Sequence, residues 1–522
     1  MMHTRHMLGV MALTALLPDT PTAAPGELET VIVTATGRPQ SGALISAGWS
    51  RIEEESLRRT AHTHLNEAVN QVPGTWISRG NGQEHLTAIR SPVLTGAGGC
   101  GSFYMAQDGI SLRAPGFCNV NQLFDATSEL AQAVEVIRGP GTVRYGSNAM
   151  HGVINVVSRD VAENGRGSLR LESGPHDYLR LRFDHSWSGH NQGLRLGASG
   201  TSDGGYKDAS GFDQQKLNLV HRFTDSTYSL KTVVAASNLN QETAGFVSGK
   251  DAYKVDDLKK FNPNPEAFRD AQSWRLHSDI NIPLDNGAEL HLTPYLRGNE
   301  MRFVQHFLPW KAIEENDQHS LGMRLATYRE TTDGSWNLGL DAEATQGSLE
   351  EFQPTEFRAA QPQGLHYDYE VDATLAAIYA ERRHWLHPQW QADVGVRYEY
   401  NGYDYDTLVT PGSPCDPGVS CRFFRPVDRR DSFADWSLNA SIAYDYHADH
   451  RVYLRAAQGF RAPQATELYR LQQGQSRARL DSEELDSLEL GLRGSWSRVE
   501  YDVQAWLMKK SNVIFQIGRA HV

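Results

Sequence analysis

The sequence predicts a mostly β protein in which a transmembrane antiparallel β-barrel makes up most of the chain. Three observations predict this class. Beyond residue 160, apolar and polar residues alternate, as in the run Val394–Asn401 (VGVRYEYN). This is the period of a strand with one apolar and one polar face. About fifteen such segments fall between Gly167 and Lys510, and many are about ten residues long or longer.

The third observation is the spacing between the predicted strands. Tight turns such as Thr332–Gly334 alternate with long polar connections such as Gln241–Ala271 and Asp404–Asp431. Short turns at one rim and long loops at the other are typical of outer-membrane barrels. The alternative, a soluble β-sandwich, needs a second apolar layer and gives no reason for the asymmetry. The pattern therefore favours the barrel.

Composition excludes two other classes. The chain has 522 residues, with 50 Lys+Arg against 63 Asp+Glu and a formal net charge of −13. A protein that binds nucleic acid usually carries a basic patch or stripe, so this acidic balance argues against a nucleic-acid partner. No run of about 18 apolar residues is present, so a bundle of membrane helices is excluded. The mean hydropathy of −0.50 fits strands whose polar and apolar faces average out.

Residues 1–24 are predicted to be a signal peptide. Arg5 precedes the apolar stretch Met7–Leu17, and Thr22–Ala24 offers small residues for cleavage. A buried amphipathic helix is the alternative for the same stretch. Export would place the mature chain in an oxidising space, where disulfides persist.

Four cysteines, Cys100, Cys118, Cys415 and Cys421, fall as two sequence-local pairs among Gly, Pro, Asn and Asp. The surroundings are loop-like, and neither pair has the clustered Cys and His of a metal site. Two local disulfides are favoured, although four cysteines allow three connectivities. We predict no metal site and no cofactor.

The first of two informative segments before residue 160 is a β-branched run. It comprises Glu29, Thr30, Val31, Ile32, Val33, Thr34 and Ala35. These residue types favour an extended conformation. A Gly/Ser-rich stretch follows it, which indicates a tethered strand that can pair with a free sheet edge. An ordinary first strand of the N-terminal domain is the alternative.

The second segment joins two apolar strands, Val134–Arg138 and Gly152–Val157, through a turn dense in Gly and Pro. Its glycines suit positive φ angles or close backbone approach. From the residues alone, a simple hairpin-like turn remains the alternative. The candidate functional residues in it are Arg138, Gly139, Pro140, Tyr145, Gly146, Gly152 and Asn155.

Taken with Val72–Gly74, Ile89–Arg90 and Asp108–Gly109, these segments resemble the plug domain of TonB-dependent outer-membrane receptors. Glu29–Ala35 resembles the TonB box of that family. The second segment resembles its closing plug motif, and Gly459–Pro463 with Thr466–Tyr469 resembles a barrel segment common in it. Arg90-Ser91-Pro92 departs from the usual Arg-Gly, which leaves the local backbone turn open.

The resemblance implies a domain organisation and a fold. The expected domains are a signal peptide at 1–24, the TonB box and linker at 25–50, the plug at 51–160 and the barrel at 161–522. The expected fold is a barrel of the 22-stranded type with an N-terminal α+β plug domain in its lumen, in the Gram-negative outer membrane. The expected partners are outer-membrane lipid, the energy-transducing protein TonB and a ferric-siderophore-like ligand.

The implied function is energised uptake of a scarce nutrient, most often a ferric siderophore. A passive plugged porin-like channel, or an importer of cobalamin, haem or an oligosaccharide, is the alternative. We predict no enzymatic activity, because the sequence contains no Gly-x-Ser-x-Gly, no His-Glu-x-x-His and no phosphate-binding glycine loop.

The resemblance also suggests roles for individual residues. Arg138 is expected to pair with an inward barrel carboxylate such as Glu343 or Glu399; a solvated surface arginine is the alternative. We expect disulfides Cys100–Cys118 at the plug apex and Cys415–Cys421 in an extracellular loop. Near the apex, Tyr104, Arg113 and Phe117 are candidate ligand contacts, since arginine with aromatics suits anionic aromatic ligands such as catecholate siderophores. Simple packing residues are the alternative.

The strand count carries one more expectation. The sequence predicts about fifteen strands, whereas a plugged transporter has about 22, so about seven strands are missing. Residues 517–522 continue neither the alternation nor the family pattern. We therefore expect an open barrel sector with edges near Gly167–Ser173 and Asn512–Gln516. Such edges are not tolerated by lipid, so the chain as written should fail to assemble while a full-length parent should transport.

Overall fold

The computed structural model describes residues 32–33, 40–94, 101–117, 121–141, 143–163, 165–447, 449–472, 474–496 and 499–514. The predicted signal peptide lies outside the described residues. So do most of the predicted TonB box and the cysteines Cys100 and Cys118.

The N-terminal domain is built on a five-stranded sheet. Its strands, in spatial order, are β3 (Gly48–Glu53), β8 (Ala131–Arg138), β9 (Gly152–Ser158), β6 (Phe103–Gln107) and β7 (Ile110–Ser111). All neighbours are antiparallel except β6 and β9. Two short helices and a hairpin cover the sheet: α1 (Glu54–Thr60), α2 (Asn66–Val69), β4 (Thr75–Arg79) and β5 (His85–Ile89).

The central strands of this sheet are rich in apolar residues and are buried along almost their whole length. Every residue of β9 is buried, as are seven of the eight residues of β8. Strands covered on both faces are expected to show continuous apolar runs rather than alternation. Their side chains form a core with the hairpin and α2, which includes Ile77, Val134, Val136, Ile154 and Val156.

In the part of the chain that the structure describes, the C-terminal domain is one antiparallel sheet of fifteen strands, which confirms the predicted number of about fifteen. Each long strand pairs with the next along the chain. The strands are β10 (Gly167–Ser173), β11 (Leu179–Ser188), β12 (Gln192–Asp203), β13 (Phe212–Thr224), β14 (Ser229–Glu242), β15 (Phe268–Pro283), β16 (Ala288–Val304), β17 (Ile313–Thr331), β18 (Gly334–Gln353), β19 (Gly364–His387), β20 (Trp390–Thr407), β22 (Arg429–His447), β23 (His450–Arg461), β25 (Glu483–Trp496) and β26 (Val499–Ser511).

The predicted alternation is confirmed in these strands. In β18, Leu338 and Leu340 are 49% and 50% exposed, whereas Asp341 and Glu343, which follow them on the opposite face, are each 8% exposed. The apolar side chains therefore point outward and the polar ones point into the lumen, which is the arrangement of a membrane barrel. No helix among the described residues is long and apolar enough to cross a membrane.

The connections differ in length at the two rims, as predicted. Long loops occupy residues 204–211, 243–267, 305–312, 354–363, 408–428 and 462–482, and short turns connect the opposite strand ends. The long loops carry α3 (Asp256–Lys259), α4 (Ala465–Tyr469) and a small sheet of β21 (Phe423–Phe424) with β24 (Leu471–Gln472). In the 408–428 loop, Cys415 and Cys421 form the predicted disulfide, with a Cα–Cα distance of 5.6 Å. Short turns face the periplasm in outer-membrane barrels, so the long loops face outward.

The two edges of the large sheet lie at β10 and β26. Within the described residues, each pairs with a single neighbour and they do not pair with each other. One edge coincides with the expected Gly167–Ser173. The other is formed by β26, which ends at Ser511, just before the expected Asn512–Gln516; Asn512 adopts a positive φ of 53°, and residues 515 and 516 lie outside the described residues.

Candidate functional site

The described part of the predicted TonB box is a short extended segment. Ile32 and Val33 form β1, which pairs antiparallel with β2 (Gln40–Ser41) through Ile32↔Ser41 and Val33↔Gln40. The remaining box residues, Glu29–Val31 and Thr34–Ala35, lie outside the described residues. The extended conformation expected of the β-branched run is therefore present at its centre.

The predicted plug motif forms the connection between β8 and β9. The amide of Gly139 donates to the carbonyl of His151 at 2.8 Å, and Gly139 adopts a φ of +85°, which favours glycine. Gly152 is needed for space, because a Cβ there would lie 2.5 Å from the Ile137 carbonyl oxygen. The glycines thus let two strands and their turn pack against the barrel wall.

Of the other motif residues, Tyr145 and Asn155 make contacts within the plug, and Gly146 lies against the barrel wall. The ring of Tyr145 packs on Tyr104 with centroids 4.7 Å apart. Asn155, buried in β9, accepts a hydrogen bond from the amide of Gly109 at 2.8 Å. A Cβ at Gly146 would collide with Glu399 on the barrel wall, so glycine permits close approach there. These contacts suit a structural role in seating the plug.

Arg138 does not pair with Glu343 or Glu399, so those two partners are wrong, although it does form an ion pair with another barrel carboxylate, Asp502. Its guanidinium donates within the plug, to Ser50 Oγ at 2.8 Å, the Trp49 carbonyl at 3.1 Å and the Pro73 carbonyl at 3.2 Å. Glu343 and Glu399 are instead neutralised within the barrel, by Arg297 and Arg397. The nearest barrel carboxylate to Arg138 is Asp502, at 3.9 Å.

Arg90 makes a closer ion pair with a barrel carboxylate, the kind of contact that was expected of Arg138. Its guanidinium forms an ion pair with Glu489, donates to Gln504 and stacks on Trp506 at 4.4 Å from the ring centroid. Ser91, where the sequence departs from Arg-Gly, follows Arg90 directly, and Arg90 itself adopts a positive φ of 49°. The plug is thereby fixed to β25 and β26.

Most of the boundary follows a pattern that sequence reasoning missed. Inward arginines of eight barrel strands donate to backbone carbonyls of the plug. These pairs are Arg180 to His62, Arg195 to Leu130, Arg275 to Asp125, Arg297 to Ser111, Arg324 to Gly109, Arg397 to Val143, Arg455 to Pro140 and Arg493 to Ala47.

Several of these arginines have their charge balanced inside the barrel wall. Arg397 pairs with Asp341 at 2.6 Å, and Arg195 and Arg297 pair with Asp184 and Glu343. The plug supplies only neutral carbonyl acceptors at these points. At these points, moving the plug breaks hydrogen bonds that water can replace. The ion pairs Arg90–Glu489, Lys216–Glu129 and Arg269–Glu84 also cross the boundary, and moving the plug would separate their charges.

Of the three candidate ligand contacts, two are buried in packing interactions. The Tyr104 hydroxyl accepts from Arg324 at 2.5 Å, and the Tyr104 side chain is buried. Arg113 is 2% exposed and pairs with Asp125 at 3.2 Å. Phe117 is half-buried and packs against a cluster at the loop end of the lumen. Only Phe117 is thus placed near a surface that a ligand can reach.

That cluster, the loop-end aromatic cluster, was missed at the sequence level. Its rings are Trp310, Tyr367, Tyr369, Tyr403, Tyr405, Phe423 and Tyr469. Tyr405 stacks on Tyr469 with centroids 4.2 Å apart. The hydroxyls of Tyr369 and Tyr403 have no hydrogen-bond partner among the described residues. The period-two spacing of Tyr367 with Tyr369, and of Tyr403 with Tyr405, was the available signal.

Arginines border the loop-end aromatic cluster. Arg422 lies 4.4 Å from the ring centroid of Trp310, and Arg425 donates to the carbonyl of His366 at 3.0 Å. Burial lowers the pKa of both guanidinium groups, although they stay cationic at neutral pH. Neither forms an ion pair within the part of the chain that the structure describes. The cluster therefore combines aromatic faces with positive charge that the protein does not neutralise.

Three histidines lie at the plug boundary near β13. His64 and His85 line a small cavity with Glu129 and Lys216, and their ring centroids are 5.5 Å apart. Burial lowers the pKa of His62 and of His85 to about 4, and lowers that of His64 well below its usual value. The described residues contain no group of three His, Cys, Asp or Glu that could hold a metal ion.

Comparison with known proteins agrees with this architecture. Residues 45–153 match the model of the TonB-dependent receptor plug domain, and residues 161–521 match that of the TonB-dependent receptor-like β-barrel. The vitamin B12 transporter BtuB of Vibrio vulnificus is 24% identical over 275 residues, which are 52% of this chain and 42% of that protein. The chain thus spans less than half the length of that curated relative.

Solved structures share the fold. The ferric yersiniabactin uptake receptor FyuA of Yersinia pestis superposes with a TM-score of 0.72 at 17% identity, over 89% of this chain and 72% of that one. The siderophore receptor PiuA of Acinetobacter baumannii gives a TM-score of 0.72 at 13% identity, over 92% and 74%. The family models together cover most of the chain. It therefore belongs to the TonB-dependent receptors, outer-membrane proteins that are not enzymes.

Proposed function

We propose that this protein imports a scarce nutrient, a ferric siderophore, through the outer membrane with energy supplied by TonB. The observation that carries the proposal is the boundary between plug and barrel, where barrel arginines hold neutral carbonyls of the plug. A plug seated in this way blocks passive flow but can be displaced by a pull. A passive channel does not require a plug that can be displaced, so this boundary favours energised import.

The pull would be applied at Glu29–Ala35. TonB would capture this segment by strand addition, in which main-chain hydrogen bonds supply affinity and alternate side chains supply specificity. The centre of the segment, Ile32–Val33, is already extended and pairs with Gln40–Ser41. The partner strand would add to the free edge of β1 or replace β2.

The ligand would bind at the loop-end aromatic cluster. Arg422 and Arg425 offer positive charge at its border, and the ligand would reach the buried rings of Trp310 and the tyrosines by displacing the long loops that cover them. A ferric catecholate combines negative charge with aromatic rings, so it suits this combination. FyuA and PiuA are described as siderophore receptors, whereas BtuB is described as a vitamin B12 transporter. Cobalamin is therefore the second candidate.

Deletion of Glu29–Ala35 tests the energised mechanism. We expect uptake of a radiolabelled ferric catecholate to be abolished while its binding to intact cells is unchanged, because the box contributes only partner pairing. Val31→Pro should act like the deletion by removing a backbone donor, whereas Val31→Thr keeps both the donor and the β-branched side chain and should transport normally. Undiminished transport in the deletion variant would remove TonB from the proposal.

A second experiment tests the ligand class. A receptor-deletion strain that carries this receptor should grow in iron-limited medium when ferric catecholate is the iron source. Tyr369→Phe removes an unpartnered hydroxyl and Tyr405→Ala removes a stacked ring, so the second variant should lose more affinity than the first. Restoration of cobalamin-dependent growth without any response to iron sources would replace the siderophore by cobalamin.

A further inference from the structure

A polar cavity lies between the plug and the barrel near the short-turn rim. It measures ≈ 760 Å³, with part of this space open to solvent, which is within the size range of sites that hold small organic molecules. Its plug side is bounded by Ile45, Ser46 and Ala47, and its barrel side by inward residues of β18, β19, β20, β22 and β23. The short-turn rim faces the periplasm, so a soluble molecule would reach the cavity from that side.

The charges of the arginines on the cavity wall are not all balanced. Four arginines contribute to the lining, and three of them are paired with a carboxylate: Arg144 with Glu381, Arg382 with Asp333, and Arg383 with Asp393. The fourth, Arg455, forms no ion pair within the part of the chain that the structure describes. The wall therefore carries one positive charge that no carboxylate contacts directly.

Arg455 has unused hydrogen-bond donors although it is only 5% exposed. One terminal nitrogen donates to the carbonyls of Pro140, at 2.7 Å, and Gly141, at 3.3 Å. Its Nε and its other terminal nitrogen donate to no group among the described residues. Glu489 lies directly opposite Arg455 on the neighbouring strand β25, but it pairs with Arg90 of the plug. A buried guanidinium with free donors and a shared countercharge favours an anion in the space beside it.

The plug contributes a second polar group with no partner to the same cavity. Ser46 is 7% exposed, and its Oγ forms no hydrogen bond with the residues that the structure describes. Buried hydroxyl groups are nearly always hydrogen-bonded, because an unmade bond costs free energy. A hydroxyl donates readily to an oxyanion. Ser46 and Arg455 thus offer donors to one space from its plug side and from its barrel side.

We propose that this cavity binds a small molecule that carries a phosphate group, and that the phosphate is held between Arg455 of the barrel and Ser46 of the plug. The tetrahedral oxygens of a phosphate can accept from groups on two sides of a cavity, and an arginine fork suits them. The bound anion supplies the missing countercharge and links the two domains. The inference goes beyond the proposed function and is independent of TonB and of the imported ligand, because it concerns the resting receptor.

Calorimetric titration of the purified receptor with inorganic phosphate, at constant ionic strength, tests the proposal. We expect saturable binding that Arg455→Met weakens at least about tenfold, because it removes a charge-assisted hydrogen bond. The matched control is Arg451→Met, which removes one positive charge from the same face of β23. Arg451 pairs with Asp445 at 2.7 Å and does not line the cavity, so its loss should change the affinity by less than about twofold.

Ser46→Ala tests the plug side of the site without removing a charge. It should weaken phosphate binding about fivefold, the value of one neutral hydrogen bond. It also keeps the test decisive if Arg455→Met fails to fold, since a serine whose hydroxyl has no partner can be truncated without breaking a bond. Phosphate should raise the midpoint of thermal unfolding of the unaltered receptor, and should raise it less in Ser46→Ala.

Two results would overturn the site. Absence of saturable phosphate binding to the unaltered receptor would show that the cavity holds only water, and equal affinity in the unaltered receptor, Ser46→Ala and Arg455→Met would show that phosphate binds elsewhere. Competition then identifies the source of the phosphate group. Displacement at a lower concentration of phosphatidylglycerol than of glycerol 3-phosphate assigns it to a lipid headgroup, and the reverse order assigns it to a soluble ester. Failure of both compounds to compete would contradict the site.

Discussion

The interior of the plug and its boundary with the barrel are stabilised by opposite kinds of contact. Inside, β8 and β9 bury Val134, Val136, Ile154 and Val156 against the hairpin and α2. At the boundary, arginines of the barrel donate to carbonyls of the plug. When water enters, the stabilising free energy of apolar burial is lost. A hydrogen bond to a carbonyl is instead exchanged for one to water. The difference indicates a domain that keeps its own core while its contacts with the barrel wall are exchanged.

Removing a core side chain should produce the largest effect. Ile154 is fully buried in β9, so Ile154→Ala should lower the free energy of unfolding of the plug by about 2–5 kcal/mol through lost burial and the cavity left behind. Denaturant unfolding of the purified receptor, followed by tryptophan fluorescence, measures it. Val93→Ala, at a site 39% exposed, is the control and should change stability by less than about 0.5 kcal/mol. Equal effects at both sites would mean that the plug has no independent core.

Acid should weaken the boundary at its histidines. The pKa of His62 and of His85 is about 4 in the fold and about 6.5 when unfolded, so below pH 6.5 the unfolded chain binds protons that the fold excludes. Stability is complete above pH 6.5 and falls as the pH drops toward 4. At pH 5 the loss should be about 2 kcal/mol for each histidine.

The comparison of His85→Gln with the unaltered protein isolates the contribution of His85 to the pH dependence of stability. Unfolding free energies measured from pH 8 to pH 5 should fall less steeply in the variant, because one titrating group has been removed. Glu67, Glu129, Arg79, Arg180, Lys216 and Arg269 surround these histidines and contribute equally to both proteins. Identical slopes would show that the boundary at β13 is open to solvent and protons.

Removing one boundary arginine should have the smallest effect of the three. Arg324 donates to the Gly109 carbonyl at 2.7 Å and to the Tyr104 hydroxyl at 2.5 Å, and Arg324→Met removes both bonds. We expect a loss of about 1–2 kcal/mol in plug stability, at about 1 kcal/mol for each bond. The control, Arg302→Met, removes an exposed pair with Glu315 and should cost less than about 1 kcal/mol. A loss at Arg324 as large as that at Ile154 would erase the distinction between interior and boundary.

The pattern of the strands was sufficient to predict the barrel. In β18 and β20 the alternation of apolar and polar residues predicts the outward and lumenal faces, since the side-chain period of a strand is fixed by its backbone. The glycines of the second N-terminal segment likewise predicted a turn with positive φ at Gly139. Both are local properties, which the sequence contains in full.

The partners across the plug boundary could not be predicted in the same way. Arg138 and Arg90 occupy similar positions in their motifs, yet the first bonds within the plug and the second reaches Glu489 and Gln504. The choice depends on how the plug is rotated in the lumen. The loop-end aromatic cluster was missed for a related reason, because its rings come from β19, β20 and three separate loops.

The sequence by itself determined the strand period, the two domains and the character of each face, because these follow from neighbouring residues along one strand. Tertiary structure alone decided which carbonyl of the plug meets which arginine of the wall. Every residue carries a carbonyl acceptor, so residue type cannot single out Leu44 for Gln391 or Ala47 for Arg493. Only the docking of one domain inside the other brings those groups within hydrogen-bond distance.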